Sequence, residues 1–177
     1  MSMSKRALAT AGLVLALSSV SARSEPQLGQ PISDADIAAW DISIPPSGEG
    51  LPPGSGTFAE GRDVYAQSCL RCHGEGAAGK PADALVGGQG SLSTDAPQKT
   101  VGSYWPYATT LFDYIRRAMP LESPRSLSDK DVYAVTAYIL GLNGIIPEDA
   151  VMDAASLPDV QMPNRDSFVS WYPSPPR

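Results

Sequence analysis

A single histidine, two cysteines and no second long apolar run are the scarce features of this 177-residue chain. Each scarcity closes a class of function. A structural zinc site needs four Cys, His or carboxylate-type ligands in a closed set, usually of Cys and His, and Cys69, Cys72 and His73 cannot complete one. Two imidazoles on one metal are likewise impossible within the chain. Basic residues are few, 13 against 19 acidic, for a formal net charge of −6. Nucleic acid and anionic lipid surfaces are therefore poor partners. The only long apolar run is Ala7 to Val20, shorter than the ~20 residues that cross hydrocarbon.

That run follows Lys5 and Arg6 and is followed by the small residues of Val20-Ser21-Ala22. Charge, apolar stretch and small residues in this order predict a secretory signal peptide over residues 1–22, cut after Ala22. The mature chain then keeps 11 basic and 19 acidic residues, a formal net charge of −8. With no other spanning run, no stable membrane insertion is expected, and the mature protein is expected in the periplasm.

What is present is concentrated. Cys69-Leu70-Arg71-Cys72-His73 places both cysteines and the histidine within five residues. This matches the C-x-x-C-H pattern of covalent haem attachment. Two thiols three residues apart add to the two vinyl groups of one haem, and the next residue is close enough to offer an imidazole to the iron. A thioredoxin-type redox pair also uses C-x-x-C, but after a strand. A plain disulfide leaves the adjoining histidine unexplained. The reading is one haem c, attached through Cys69 and Cys72, with His73 on the iron.

Because His73 has no second histidine to pair with, the sixth ligand is expected to be methionine, a weaker donor, water or nothing. Met119 is the leading candidate, in Arg117-Ala118-Met119-Pro120 at the end of a predicted helix. The proline ends the helix and restricts the backbone before it. Met162, also followed by proline, is the runner-up, and Met152 is third. Core filling is the competing role of any buried methionine. Pro81 is expected to bring its neighbourhood to the second nitrogen of His73, where a carbonyl would orient the ring. Tyr104 and Trp105 are candidates for packing on the haem or reaching a propionate, with core packing as the alternative. Arg71, Arg116, Arg117 and Arg125 offer either propionate contacts, a basic docking face or solvated surface. Gly87-Gly88-Gln89-Gly90 lacks the Lys-Ser/Thr ending of a phosphate loop and reads as a turn.

Apolar spacing predicts three helices: Phe58 to Leu70, Ala108 to Met119, and one from the cap Ser128 to about Leu142. Tyr138 of the last is expected to cross the first near Gly61 and Tyr65, where glycine would allow close approach. Residues 23–55 read as an irregular arm with one helical turn, Trp40 packing on the main domain. Residues 56–143 read as the domain and 144–177 as a Pro-rich tail.

The order helix, Cys69–His73, loops, Met119-Pro120 and closing helix with Tyr138 resembles an all-α class I cytochrome c over residues 56–143. A narrower resemblance runs through LPPGSG (51–56), GQG (88–90), TVGSYWPY (100–107), DYIRRAMP (113–120), YILGLNGII (138–146) and MPNRD (162–166). These strings are similar to the cytochrome subunit of sulfane dehydrogenase, of the Sox sulfur-oxidation system. The resemblance implies a molybdenum-cofactor dehydrogenase subunit as partner and a soluble cytochrome c as electron acceptor. It implies an electron-transfer subunit rather than a catalyst, and favours Met119 over Met162. Some members carry two haem motifs and this chain has one, which leaves sulfane sulfur and sulfite both open as the partner's substrate. A free-standing electron shuttle and an open-site haem enzyme or sensor remain as alternatives.

Overall fold

The computed structural model describes residues 29–169, 171 and 172. The signal sequence expected at 1–22 lies outside them. Among the described residues no helix is long and apolar enough to cross a membrane. The chain divides into two units, one ending at Trp40 and the other starting at Asp41.

In the first unit, helix α1 (Asp34–Trp40) carries no buried residue. Ser33 and Asp36 close its first turn reciprocally. The Asp36 carboxylate accepts from the Ser33 N–H at 3.0 Å and from its hydroxyl at 2.6 Å, and the Ser33 oxygen accepts from the Asp36 N–H at 3.2 Å. The Trp40 side chain is 84% exposed.

The second unit is built around helix α5 (Asp129–Leu142), in which every residue from Val132 to Leu140 is buried. A helix apolar on all sides must be covered on all sides. Helix α2 (Phe58–Ser68) crosses one face, helix α4 (Ala108–Ala118) packs on another, and the short helix α3 (Leu70–His73) extends from the end of α2. Strand β1 (Ser55–Thr57) pairs antiparallel with β2 (Val151–Asp153), with Gly56 opposite Met152. These observations establish the mostly helical architecture expected from the sequence.

Local sequence sets the helix starts. Thr57 and Glu60 form a capping box on α2, and Ser128 caps α5 by accepting from the Asp131 N–H at 3.2 Å. Such caps are worth about 1 kcal/mol each. Glu60 also meets Lys130 of α5 at 2.9 Å. The Lys130 contact first, then Thr57, brings the Glu60 carboxyl down to about 2.

The α2–α5 crossing depends on glycine. A Cβ at Gly61 would fall inside the Ala134 carbonyl group and 2.7 Å from the Tyr138 Cβ. Beyond this point the Tyr65 and Tyr138 rings meet at 5.3 Å and Phe58 and Tyr138 at 4.9 Å. Tyr138 thus crosses where the sequence spacing places it.

Segments that look irregular in the sequence complete the core. Ile44 is buried, Pro46 accepts from the Thr109 hydroxyl at 3.1 Å, and Pro52 accepts from the buried Tyr133 hydroxyl at 2.9 Å. Beyond α5, Met152, Leu157, Val160 and Met162 are all buried. Residues 41–54 and 151–162 are therefore straps over α4 and α5.

Asp113 fastens the first strap. Its Oδ1 accepts from the Ile44 N–H at 2.9 Å and from Arg117 Nε at 2.8 Å, and the residue is 8% exposed. Burial pushes its carboxyl up, but Arg117, the Ile44 N–H and Arg116 outweigh that and hold it below its ordinary value of 3.8. A depressed carboxyl contributes stability above its unfolded pKa, and that contribution disappears as pH falls through the folded value. Asp113→Asn is expected to cost on the order of 1–3 kcal/mol at neutral pH. The difference from wild type should shrink below pH ~3.8, as the wild-type carboxyl becomes protonated. Urea unfolding midpoints at pH 7 and pH 3 check both parts.

Candidate functional site

Cys69 caps the end of α2 and the start of α3, and Cys72 and His73 stand on the four-residue helix that follows it. Its backbone is continuous with α2, as Cys69 donates to the Tyr65 carbonyl at 2.9 Å and His73 to the Cys69 carbonyl at 2.9 Å. Both thiols are free and half-buried. Burial and then the neighbouring Cys72 push the Cys69 thiol up to about 11. This setting disfavours a thiolate and suits an uncharged sulfur, which a thioether is.

The loop after His73 folds back over the helix. Gly79 donates to the His73 carbonyl and Ala82 to the Cys72 carbonyl, both at 2.8 Å. The Asp83 carbonyl then lies 2.8 Å from His73 Nδ1. A carbonyl can only accept, so Nδ1 carries the proton and Nε2 presents its lone pair. The acceptor was expected from the neighbourhood of Pro81. Pro81 itself is exposed, follows Lys80 through a cis peptide bond, and stands two residues before the carbonyl that makes the bond.

The other end of the loop is pinned by Tyr65. Its hydroxyl donates to the Gly74 carbonyl at 2.7 Å from a ring that is 2% exposed. Burial, reinforced by Cys69 and Tyr138, raises this hydroxyl to about 12, so it stays a donor at any working pH. Gly74 has φ +74, and a Cβ there would lie 2.5 Å from the Gly79 carbonyl oxygen. Both its conformation and its neighbour require glycine.

Met119 caps the C-terminus of α4, donating to the Ile115 carbonyl at 3.0 Å, and is half-buried against the core. Three residues later Glu122 forms an ion pair with Arg71 of α3. That pair joins the segment after Met119 to the helix carrying Cys72 and His73. Met152 and Met162, by contrast, are 5% and 4% exposed within the core. The structure separates a half-buried methionine at a helix end from two that fill the core.

Tyr104 meets Phe168 edge-on and Trp105 meets Tyr114 edge-on. Three of the four arginines are paired: Arg71 with Glu122, Arg116 with Asp129 at 2.8 Å, and Arg117 with Asp113. They do not form the free basic face that was one expectation. Arg125 lines a small surface pocket with Ile42, Arg116, Leu127 and Asp129.

Asn143 was not singled out by sequence. Its amide oxygen accepts from the Gly87 N–H at 3.1 Å, and its amide nitrogen donates to the Leu85 carbonyl at 3.1 Å and the Ile139 carbonyl at 2.9 Å. One side chain thereby holds the 85–89 loop to the end of α5. Followed by glycine after a helix, it reads only as a terminator. Among the described residues no group of three or more His, Cys, Asp and Glu side chains could hold a metal ion alone. The donor set fits a metal brought within a macrocycle: two sulfurs to anchor it, one free imidazole nitrogen and one thioether.

A family model described as cytochrome c oxidase, cbb3-type, subunit III, matches residues 56–139. The crystal structure of the sulfane dehydrogenase SoxCD from Paracoccus pantotrophus is similar at 42% identity and a TM-score of 0.76. The alignment covers 82% of this chain and 72% of that one. A thiosulfate dehydrogenase of Stutzerimonas stutzeri is 30% identical over 93 residues, which are 50% of this chain. The match spans only 28% of that relative's length.

Proposed function

The chain belongs to the class I cytochromes c and carries a covalently bound haem c, and from that premise we propose that Cys69 and Cys72 form its thioethers. His73 Nε2 and the Met119 sulfur are the axial donors. The haem supplies reversible one-electron chemistry, and the protein supplies its burial, orientation and ligands. The relationship to cytochromes of sulfur-compound dehydrogenases implies electron transfer. The specific role is the electron-accepting subunit of a molybdenum-cofactor dehydrogenase that oxidises sulfane sulfur or sulfite. A soluble cytochrome c is the acceptor, and the compartment is the periplasm.

One observation supports the site assignment: Arg71, on the helix of Cys72 and His73, pairs with Glu122, three residues after Met119. Each residue then has a separable task. Asp83 holds the imidazole by Nδ1 and leaves Nε2 directed away from its own loop. Tyr65 fixes the start of that loop and Asn143 holds the 85–89 segment. Pro120 prevents α4 from continuing past Met119. Pro81, Tyr104 and Trp105 belong to the surrounding loop and aromatic surface rather than to the axial set. With His73 and Met119 both holding the iron, no coordination position would be open to substrate, which favours transfer over catalysis.

Mass spectrometry of the exported protein tests the attachment. Wild type is expected to retain one haem under denaturing conditions, and Cys69→Ala with Cys72→Ala to lose it. Haem that wild type releases in acid acetone would overturn the thioether assignment. Mixing with the purified dehydrogenase subunit and sulfite or a sulfane donor is expected to reduce the haem. No reduction with either donor would overturn the role.

A further inference from the structure

We propose that an aromatic strip running from α4 to the C-terminal segment is the surface on which the dehydrogenase subunit docks. This rests on reading the chain as that subunit's electron acceptor. The strip is assembled from three parts of the second unit. Tyr104 meets Phe168 edge-on with centroids 5.4 Å apart, and Trp105 meets Tyr114 edge-on at 5.6 Å. Tyr104 and Trp105 are consecutive, so the two contacts form one band. The Asn164 amide bonds the Tyr104 carbonyl at 2.8 Å and holds the C-terminal segment to it.

The band is exposed where a core would be covered. Phe168 is 52% exposed, and Val169 and Trp171 beyond it are 92% and 91% exposed. Tyr114 and Tyr104 are also exposed. An aromatic side chain offers 150–250 Å², so this surface amounts to roughly 600 Å² of apolar area. Monomers rarely expose more than about 300–600 Å² in one patch. A standard interface takes about 800 Å² from each partner. The composition fits as well, since Tyr and Trp are enriched in interfaces and among their hot spots. Lys99 lies 5.1 Å from the Tyr104 centroid and supplies a cation at the rim.

Position selects the occupant. Tyr114 lies on α4, whose last residue precedes Met119. A partner seated on the strip would stand beside the loop assigned to the haem, as an electron donor must. A second copy of this chain seated there would occupy the donor's place.

The test is sedimentation of the intact holocytochrome with the purified dehydrogenase subunit. Phe168→Ser and Trp171→Ala are compared with Arg62→Ala, an exposed position on α2. Wild type and Arg62→Ala are expected to bind alike. Each strip variant should bind about 30-fold more weakly, the effect of one hot-spot side chain, with an unchanged haem spectrum. If wild type and the strip variants bind equally well, the docking surface is wrong and the proposed function stands. If wild type does not bind at all, the functional reading fails and the docking proposal with it. If the cytochrome alone dimerises through these side chains, the strip is a self-association surface and the proposal is overturned.

Discussion

Met119→Ala is expected to abolish the sulfur-to-iron charge-transfer absorption of the oxidised cytochrome and to lower its reduction potential. Thioether ligation raises the potential of a haem whose other ligand is histidine, so losing it moves the couple downward. The reduced variant should also bind carbon monoxide, which wild type resists. Met162→Ala has the opposite signature. Met162 is 4% exposed in the core, and truncating a buried methionine to alanine costs about 2–5 kcal/mol. That is a fall of roughly 2–4 °C in Tm per kcal/mol for a chain of this size, with the absorption band retained. Absorption spectra and thermal melts of the two variants check the assignment. A band that survives Met119→Ala and disappears in Met162→Ala would reverse it.

Gly61→Ala is expected to destabilise the domain strongly, although it adds a single methyl group. Alanine is worth ~1 kcal/mol over glycine in an isolated helix, so local propensity predicts a gain. The tertiary contact reverses the sign. The new Cβ would lie within the Ala134 carbonyl group and 2.7 Å from the Tyr138 Cβ, and the obstacle is partly backbone, which cannot rotate away. Overpacking costs typically 1–3 kcal/mol where side chains can yield, and here α2 and α5 must separate. We expect a loss of ~3 kcal/mol or more by that reasoning. Since α2 ends at Cys69, its displacement should also reduce the fraction of exported protein carrying haem. Thermal melts and the haem-to-protein absorbance ratio read the two effects. A variant as stable as wild type would show that the crossing yields more easily than its geometry indicates.

The helices were legible because each carries its own signals. Ser128 with Asp131 and the stripe of α4 are local patterns, and the structure reproduces them. Gly61 was readable as a demand for close approach, because a glycine that costs helix stability needs a compensating contact. The straps were not readable. Ile44, Met152 and Met162 lie in Pro-rich stretches with no periodicity, and only burial against α4 and α5 distinguishes them from solvated linker. The arginines misled for a related reason. Asp113 is four residues before Arg117 on α4 and so is a local pair, but Glu122 and Asp129 stand on other segments than Arg71 and Arg116, so those pairings depend on the tertiary fold.

For the haem site itself, the sequence determined the attachment chemistry: two thiols and a lone histidine within five residues leave few alternatives and exclude a second imidazole. This holds because covalent attachment uses neighbouring residues, whose separation is set by the chain. Tertiary structure alone decided that Met152 and Met162 fill the core, that Asp83 is the residue near Pro81 whose carbonyl meets His73, and that Tyr65 and Asn143 brace the loops. Those contacts join residues between 9 and 58 positions apart. Separations of that size are bridged by packing, which residue spacing does not encode.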